Sequence, residues 1–178
     1  ETVRTEVKAI HVQPVGEGVR LSELDVLAAG LAKVLEVSCH VREQTLAAEF
    51  AFDGTRNQFH STLILETLAR SAGDVRVLGV TAVDLFVPIL TFVFGEAQLG
   101  GSVALVSTHR LQERFYGLPG RTDLERERLL KEAVHELGHT YGLRHCRDWR
   151  CVMASSHDIG RIDLKDSVFC PQCRVALQ

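Results

Sequence analysis

The sequence predicts an α/β (α+β) fold: a twisted mixed sheet with an antiparallel edge strand, packed with helices, followed by a small irregular C-terminal lobe held by metal. Three observations predict it. Segments rich in β-branched residues alternate with segments of helical period. Two extended segments then succeed one another before the last long helix, which suits an antiparallel edge. Four of the five cysteines fall between residues 146 and 173, where periodicity fades and aliphatic residues thin out. The lobe boundary is set at residue 142, giving an N-terminal lobe over 1–142 and a C-terminal lobe over 143–178.

Residues 2–12 alternate weakly and predict a first strand. Ser22-Glu23-Leu24-Asp25 resembles a capping box and predicts a helix with Leu24, Leu27, Ala28, Leu31 and Leu35 on one face. A second strand is expected over 44–52, closed by the turn signal Asp53-Gly54. Residues 57–71 predict another helix with Phe59, Leu63, Ile64 and Leu68 inward and Gly73 just past its end. The β-branched run 75–81 predicts a central strand, and 89–95 and 102–107 predict two more, split by Gly100-Gly101. After a loop over 116–120, Thr122-Asp123-Leu124-Glu125 reads as a capping box. It opens a helix over about 123–141 with Leu130, Ala133, Val134, Leu137 and Tyr141 inward. The Glu/Arg alternation over 121–131 is read as the solvated face of that helix.

At 178 residues the chain fits one domain or two lobes sharing a cleft, and its 46% hydrophobic and 24% charged content is ordinary for a globular protein. A net charge of −3 argues against a general nucleic-acid binder. The N-terminus, charged and alternating, does not read as a signal peptide, and no apolar run reaches membrane-spanning length. These features predict a cytoplasmic protein.

His135-Glu136-Leu137-Gly138-His139 is an H-E-x-x-H pattern on the last predicted long helix. Residues four apart stack on one helix face, so both imidazoles can reach one ion. Glu136 is placed to take a proton from water on that ion and pass it to a leaving amine. A catalytic zinc generally has three protein ligands, and His145 is the candidate third. A helix continued to residue 145 would carry it away. Gly142 permits a left-handed turn that brings the chain back. Cys146, Cys151, Cys170 and Cys173 form a C-x4-C and a C-x-x-C, a ligand set suited to a closed structural zinc. A redox pair at Cys170 and Cys173, or His157 in place of one cysteine, are the alternatives. His145 and Cys146 are neighbours, so in an extended stretch one faces each ion, and the second zinc is expected to steady the first.

His135 to His145 resembles the extended metzincin motif H-E-x-x-H-x-x-G-x-x-H, with Met153, the chain's only methionine, as the candidate Met-turn residue. The cysteine after the third histidine, the cysteine before Met153 and the terminal C-x-x-C are similar in particular to the archaemetzincins. The resemblance implies a metzincin-like fold: an α/β upper lobe, a small lower lobe and a cleft with zinc at its floor. It also implies an edge strand that pairs with substrate, whose best candidate lies within 94–107 with Gly95, Gly100 and Gly101. Ser155 stands two past Met153, so a tyrosine ligand of the astacin sort is missing there.

The resulting expectation is a zinc-dependent peptidase with two zinc ions per chain, one catalytic and one structural. Glu136 is its general base and acid, and it acts as a monomer on peptide or protein substrates, with trimming of N-terminal residues as one possible mode. The alternative is a catalytically silent, zinc-stabilised peptide- or protein-binding module; a nucleic-acid-binding zinc finger conflicts with the charge balance. Cys39 is read as a small buried hydrophobe. His11, His40, His60 and His109 lack ligand spacing, and Asp148, Asp158, Asp163 and Asp166 are read as solvated loop charges.

Overall fold

Apolar residues with no polar alternation, as in Val103-Ala104-Leu105-Val106, suit a strand covered on both faces, and the fold provides that cover. A computed structural model of the chain describes residues 9–177. Its main sheet has five strands in the order β2-β1-β5-β8-β7: β1 Ile10–Val15, β2 Cys39–Val41, β5 Arg76–Thr81, β7 Gly95–Ala97 and β8 Val103–Ser107. All neighbours run parallel except β7, which pairs antiparallel with β8 through Gly95↔Val106 and Ala97↔Ala104. The antiparallel edge is therefore present, though its strand is Gly95–Ala97 and not 89–95. A small second sheet joins β3 Phe52–Asp53, β4 Gln58–His60 and β6 Leu85–Phe86.

Two helices, α1 (Leu21–Leu35) and α3 (Thr122–Thr140), cover one face of the main sheet; α2 (Ser61–Ser71) covers the other. The period-2 geometry of β8 divides its side chains between them. Ala104 and Val106 face the cluster of α1 and α3, while Val103 and Leu105 face that of α2. On α3, Leu129, Ala133, Val134 and Leu137 are buried. Burying a leucine or valine contributes about 1.5–3 kcal/mol, so this stripe fixes the helix against the sheet. Two short helices, α4 (Ile159–Leu164) and α5 (Pro171–Ala176), belong to the C-terminal segment, whose Val152, Met153, Ile162 and Phe169 join the same core.

Several local expectations shift. Residues 2–8 of the predicted first strand lie outside the described residues, and the described strand runs to Val15. The second strand is Cys39–Val41; the 44–52 stretch instead makes a 3-10 turn at Glu49–Ala51, with Phe50 and Phe52 half exposed. The helix expected from residue 57 starts at Ser61, because Phe59 pairs with Leu85 in β4. Leu65 is buried in that helix and Leu63 is 41% exposed. Ser22 and Thr122 do not cap their helices; both lie within the first turn, behind Arg20 and Arg121. At α3 the acidic half of the box survives, since the Glu125 carboxylate accepts from Arg121 N at 3.3 Å and from Glu113 N at 3.0 Å.

The face of α3 read as solvated is so at Arg121, Asp123, Arg126 and Glu127, which are exposed, but not at Arg128 and Lys131. Arg128 is 3% exposed and donates to both carboxylate oxygens of Asp163 at 2.7 and 2.8 Å and to Glu113 at 3.0 Å. Lys131 is equally buried, donating to the carbonyl of Ile162 at 3.2 Å. Charges from α4 and the 113 turn supply the partners that make this burial tolerable. Asp163 is thus a clamp on α3, and Asp158 caps α4 by accepting from Arg161 N.

Candidate metal centre and active-site cleft

The last turn of α3 positions the centre. Gly142 has φ +89°, left-handed and free of strain only for glycine. Leu143 N donates to Gly138 O at 3.1 Å and Gly142 N to His139 O at 3.0 Å, the paired bonds of a Schellman motif. The chain reverses there and returns His145 to the helix face. The candidate ligand atoms of His135, His139 and His145 all lie within 4.8 Å of one another.

The rings are oriented by backbone carbonyls. His135 Nδ1 meets Val152 O at 2.8 Å and His139 Nδ1 meets Leu143 O at 2.7 Å. A proton on each Nδ1 leaves the Nε2 lone pairs free, and those two atoms face each other at 3.2 Å. Two lone pairs at that distance repel unless a cation lies between them, so this donor set fits a divalent metal such as zinc. Burial lowers the pKa of all three imidazoles, that of His135 most, with the Lys165 ammonium adding to the effect there. They are held neutral, as ligands must be.

Glu136 lines the cleft beside His135 and His145. Burial pushes its carboxyl well above the ordinary range; Glu132 and Glu96 push the same way, and Lys165 opposes them. A dication at the histidines would pull it back down. Gly95, at the start of β7, leaves the space that Glu136 fills. A Cβ there would stand 2.8 Å from Glu136 Cγ and 2.5 Å from the carbonyl oxygen of Leu105. β7 is further tied to the N-terminus of α2, where Ser61 and Thr62 hydroxyls donate to Glu96 at 3.1 and 2.8 Å. Gly100 and Gly101 lie beyond β7 in the turn to β8.

Met153 is fully buried beneath α3. A side chain on Gly138 would collide with its Sδ and stand 3.3 Å from Phe169 Cε1, so the glycine inside the motif is where helix and methionine turn meet. Cys146 N donates to Met153 O at 2.9 Å, tying the chain after His145 to that turn.

The sulfurs of Cys146, Cys151, Cys170 and Cys173 also gather within 4.8 Å of one another. Cys170 N and Met153 N donate to Cys151 Sγ at 3.3 and 3.4 Å. Hydrogen bonding by the Cys173 backbone lowers the Cys170 pKa, whereas burial raises those of Cys151 and Cys173. Four convergent sulfurs with N–H groups aimed at them fit a closed tetrahedral metal site. His157 is exposed and outside this group; it lies at the cleft with Ser155. Among the described residues, the other histidines join no such cluster. Cys39 is half-buried on the edge strand β2, with its thiol pKa pushed up to about 11 by burial.

Sequence reading missed two buried residues here. Glu132 lies one turn before Glu136 on α3, and Lys165, the largest fully buried side chain, places its Nζ 3.0 Å from Glu132 and 3.2 Å from Ala154 O. The i, i+3 and i, i+4 spacing of Glu132 to His135 and Glu136 was a readable signal. Lys165 carried none.

Comparison with solved structures gives the class. A zinc-dependent peptidase from Methanocorpusculum labreanum superposes with a TM-score of 0.87 at 30% identity, over 95% of this chain and 100% of that one. The archaemetzincin of Archaeoglobus fulgidus, in complex with malonate, superposes with a TM-score of 0.81 at 35% identity, over 94% and 99%. The protein is a zinc metallopeptidase. The model of peptidase family M54 matches residues 27–178. The archaemetzincin of Methanocaldococcus jannaschii is 44% identical over 172 residues, 97% of this chain and 94% of that one. That of Pyrococcus furiosus is 45% identical over 130 residues, 71% and 68%. The chain belongs to peptidase family M54, the archaemetzincin family. Among the described residues no helix is long and apolar enough to cross a membrane.

Proposed function

We infer that this peptidase holds its catalytic zinc with His135, His139 and His145 and uses Glu136 as general base and then acid. The observation that carries the reading is the convergence of three neutral imidazoles, two of them oriented by carbonyls, beside a buried carboxylate. A zinc held by these three histidines would supply a Lewis acid for the scissile carbonyl and for an attacking water. Glu136 accepts the proton of that water and delivers it to the departing amine, so no covalent intermediate forms. Its low exposure keeps bulk water from competing for the proton. The exposed edge of β7 gives an extended substrate a strand to pair with.

A second, structural zinc on Cys146, Cys151, Cys170 and Cys173 completes the reading. It is supported by the grouping of the four sulfurs and by Cys146 following His145 directly. Gly142 and Met153 serve the centre by turning the chain and by packing beneath it. The cleft volume of 390 Å³ suits short peptides, and trimming of N-terminal residues is the finer form of the proposal.

The test is cleavage of a mixed peptide library, with free and blocked N-termini, by zinc-loaded protein beside Glu136→Ala. Cleavage that the variant loses while retaining its zinc is the expected result. Cleavage of free but not blocked peptides assigns N-terminal trimming. A Glu136→Ala protein as active as the parent refutes the assignment of the base.

A further inference from the structure

Two buried cations of α3 are bonded to α4, Arg128 to the Asp163 carboxylate and Lys131 to the carbonyl of Ile162. A third buried link leads elsewhere. Lys165, the residue that ends α4, carries its ammonium to within 3.0 Å of Glu132 and donates to the carbonyl oxygen of Ala154 at 3.2 Å. Glu132 stands on α3 one turn before Glu136 and three residues before His135. Ala154 directly follows Met153 and precedes Ser155, Ser156 and His157, whose stretch lines the cleft. One ammonium therefore joins the helix that bears the candidate base to the turn packed beneath it.

Stability is a weak reason for such a pair. The Lys165 side chain is 0% exposed and that of Glu132 4%, and their charges meet at 3.0 Å without an aligned hydrogen bond to Glu132 Oε1. A buried ion pair is often no more stable than two apolar side chains of like volume, because lost hydration offsets the attraction. Two methionines would fill the same space and leave one thing undone, the donor to the buried Ala154 carbonyl. That carbonyl closes a short run of fixed backbone groups. Val152 O meets His135 Nδ1 at 2.8 Å, Met153 O accepts from Cys146 N at 2.9 Å, and Ala154 N donates to Cys151 O at 2.9 Å. With Ala154 O released, the run that aims the His135 ring loses its tie to α3.

We propose that Lys165 and Glu132 are positioning residues of the peptidase, holding the methionine turn in register with α3 through Ala154 O and thereby fixing the aim of the His135 ring beside Glu136. Neither residue touches substrate. The inference rests on the peptidase reading above and adds to it a pair kept for placement and not for stability. Misplacing a reacting group by about 1 Å costs on the order of a hundredfold in rate, so loss of the link is felt in turnover while the fold stays intact.

The experiment compares the zinc-loaded parent with Lys165→Met and with the double variant Lys165→Met, Glu132→Met. Lys165→Met alone is expected to unfold at a lower urea concentration, and the double variant at the parent's midpoint. With stability restored, the double variant is still expected to lose about tenfold or more in kcat on a cleaved peptide, with KM within about threefold of the parent. A second readout needs no turnover. With zinc kept at the cysteines and cobalt(II) exchanged into the histidine site, the visible absorption bands report ligand geometry, and the double variant is expected to shift them. A double variant with the parent's kcat, with the parent's bands, or with a loss confined to KM overturns the proposal and leaves the peptidase reading standing. A double variant as unstable as Lys165→Met does the same, since the pair is then a structural bond. A folded parent that neither cleaves peptides nor binds cobalt at the histidines overturns the peptidase reading and this proposal with it.

Discussion

Replacing Lys165 by methionine tests whether the buried ion pair beneath the cleft is held at a cost. The Lys165 side chain is 0% exposed and that of Glu132 4%, with Nζ and Oε1 at 3.0 Å. Burial holds the Glu132 carboxyl above its ordinary range even though Lys165 pulls it down, so loss of hydration outweighs the attraction. Methionine keeps most of the lysine's bulk and removes the cation. It leaves Glu132 unpaired and the Ala154 carbonyl without its donor. Removing one partner of a buried pair costs about 3–5 kcal/mol, which for a chain of this size lowers Tm by roughly 6–20 °C. Replacing both, as Lys165→Met with Glu132→Met, is expected to recover most of that loss and to come within about 1 kcal/mol of the parent. Urea unfolding of the parent, both single variants and the double variant at fixed zinc closes the cycle. A Lys165→Met protein within about 1 kcal/mol of the parent, or a double variant as unstable as the two singles added, would refute the argument.

Three further outcomes are expected. Gly138→Ala should gain about 1 kcal/mol of helix propensity and lose more by collision with Met153, for a net loss of about 1–2 kcal/mol and faster zinc release to a chelator; equal or greater stability in urea contradicts that packing. Cys170→Ser with Cys173→Ser should reduce zinc from two ions per chain to one by elemental analysis, and speed loss of the remaining ion. Unchanged affinity at the histidines would sever the proposed link between the sites. Cys39, with its thiol raised from 9.0 to about 11, should react with iodoacetamide at pH 8 about a hundredfold more slowly than an unhindered peptide thiol, since only thiolate reacts. Its rate should climb about tenfold per pH unit until near pH 11, as followed by mass spectrometry. A rate already flat above pH 9 would show an unshifted thiol.

What could be read in the sequence depended on whether the signal was local. His135 and His139 sit four apart on a helix whose apolar stripe is continuous, and Gly142 follows at the helix end, so ligand geometry and chain reversal were both written within eleven residues. The antiparallel edge was legible as two successive extended runs, but its position was not: 89–95 is as apolar as a strand, while pairing with β8 falls to Gly95–Ala97. Phe59 continues the helical pattern of 61–71, yet parallel pairing with Leu85 draws it into a strand. The Glu/Arg alternation of α3 misled at Arg128 and Lys131 for the same reason. Burying Arg128 depends on Asp163, 35 residues away, and no local pattern reports a distant partner. Lys165 was invisible because a single lysine in a loop of mixed composition carries no periodicity.

The centre is not built by α3 alone. His135 is oriented by the carbonyl of Val152, His139 by that of Leu143, and Cys146 is tied to Met153 O. All three constraints come from chain beyond the helix's last turn. The order of that segment rests on Val152, Ile162 and Phe169 in the core, on Met153 against Gly138, on Arg128 and Lys131 reaching down to α4, and on the four sulfurs. A ring held by a carbonyl points only as well as the segment that carries the carbonyl is fixed. The charged residues of α3 and the cysteines therefore act on the same quantity, the direction of two imidazole rings, from different points along the segment. Weakening either the Arg128–Asp163 clamp or the thiol cluster should be felt first at the histidines and only afterwards in the fold as a whole.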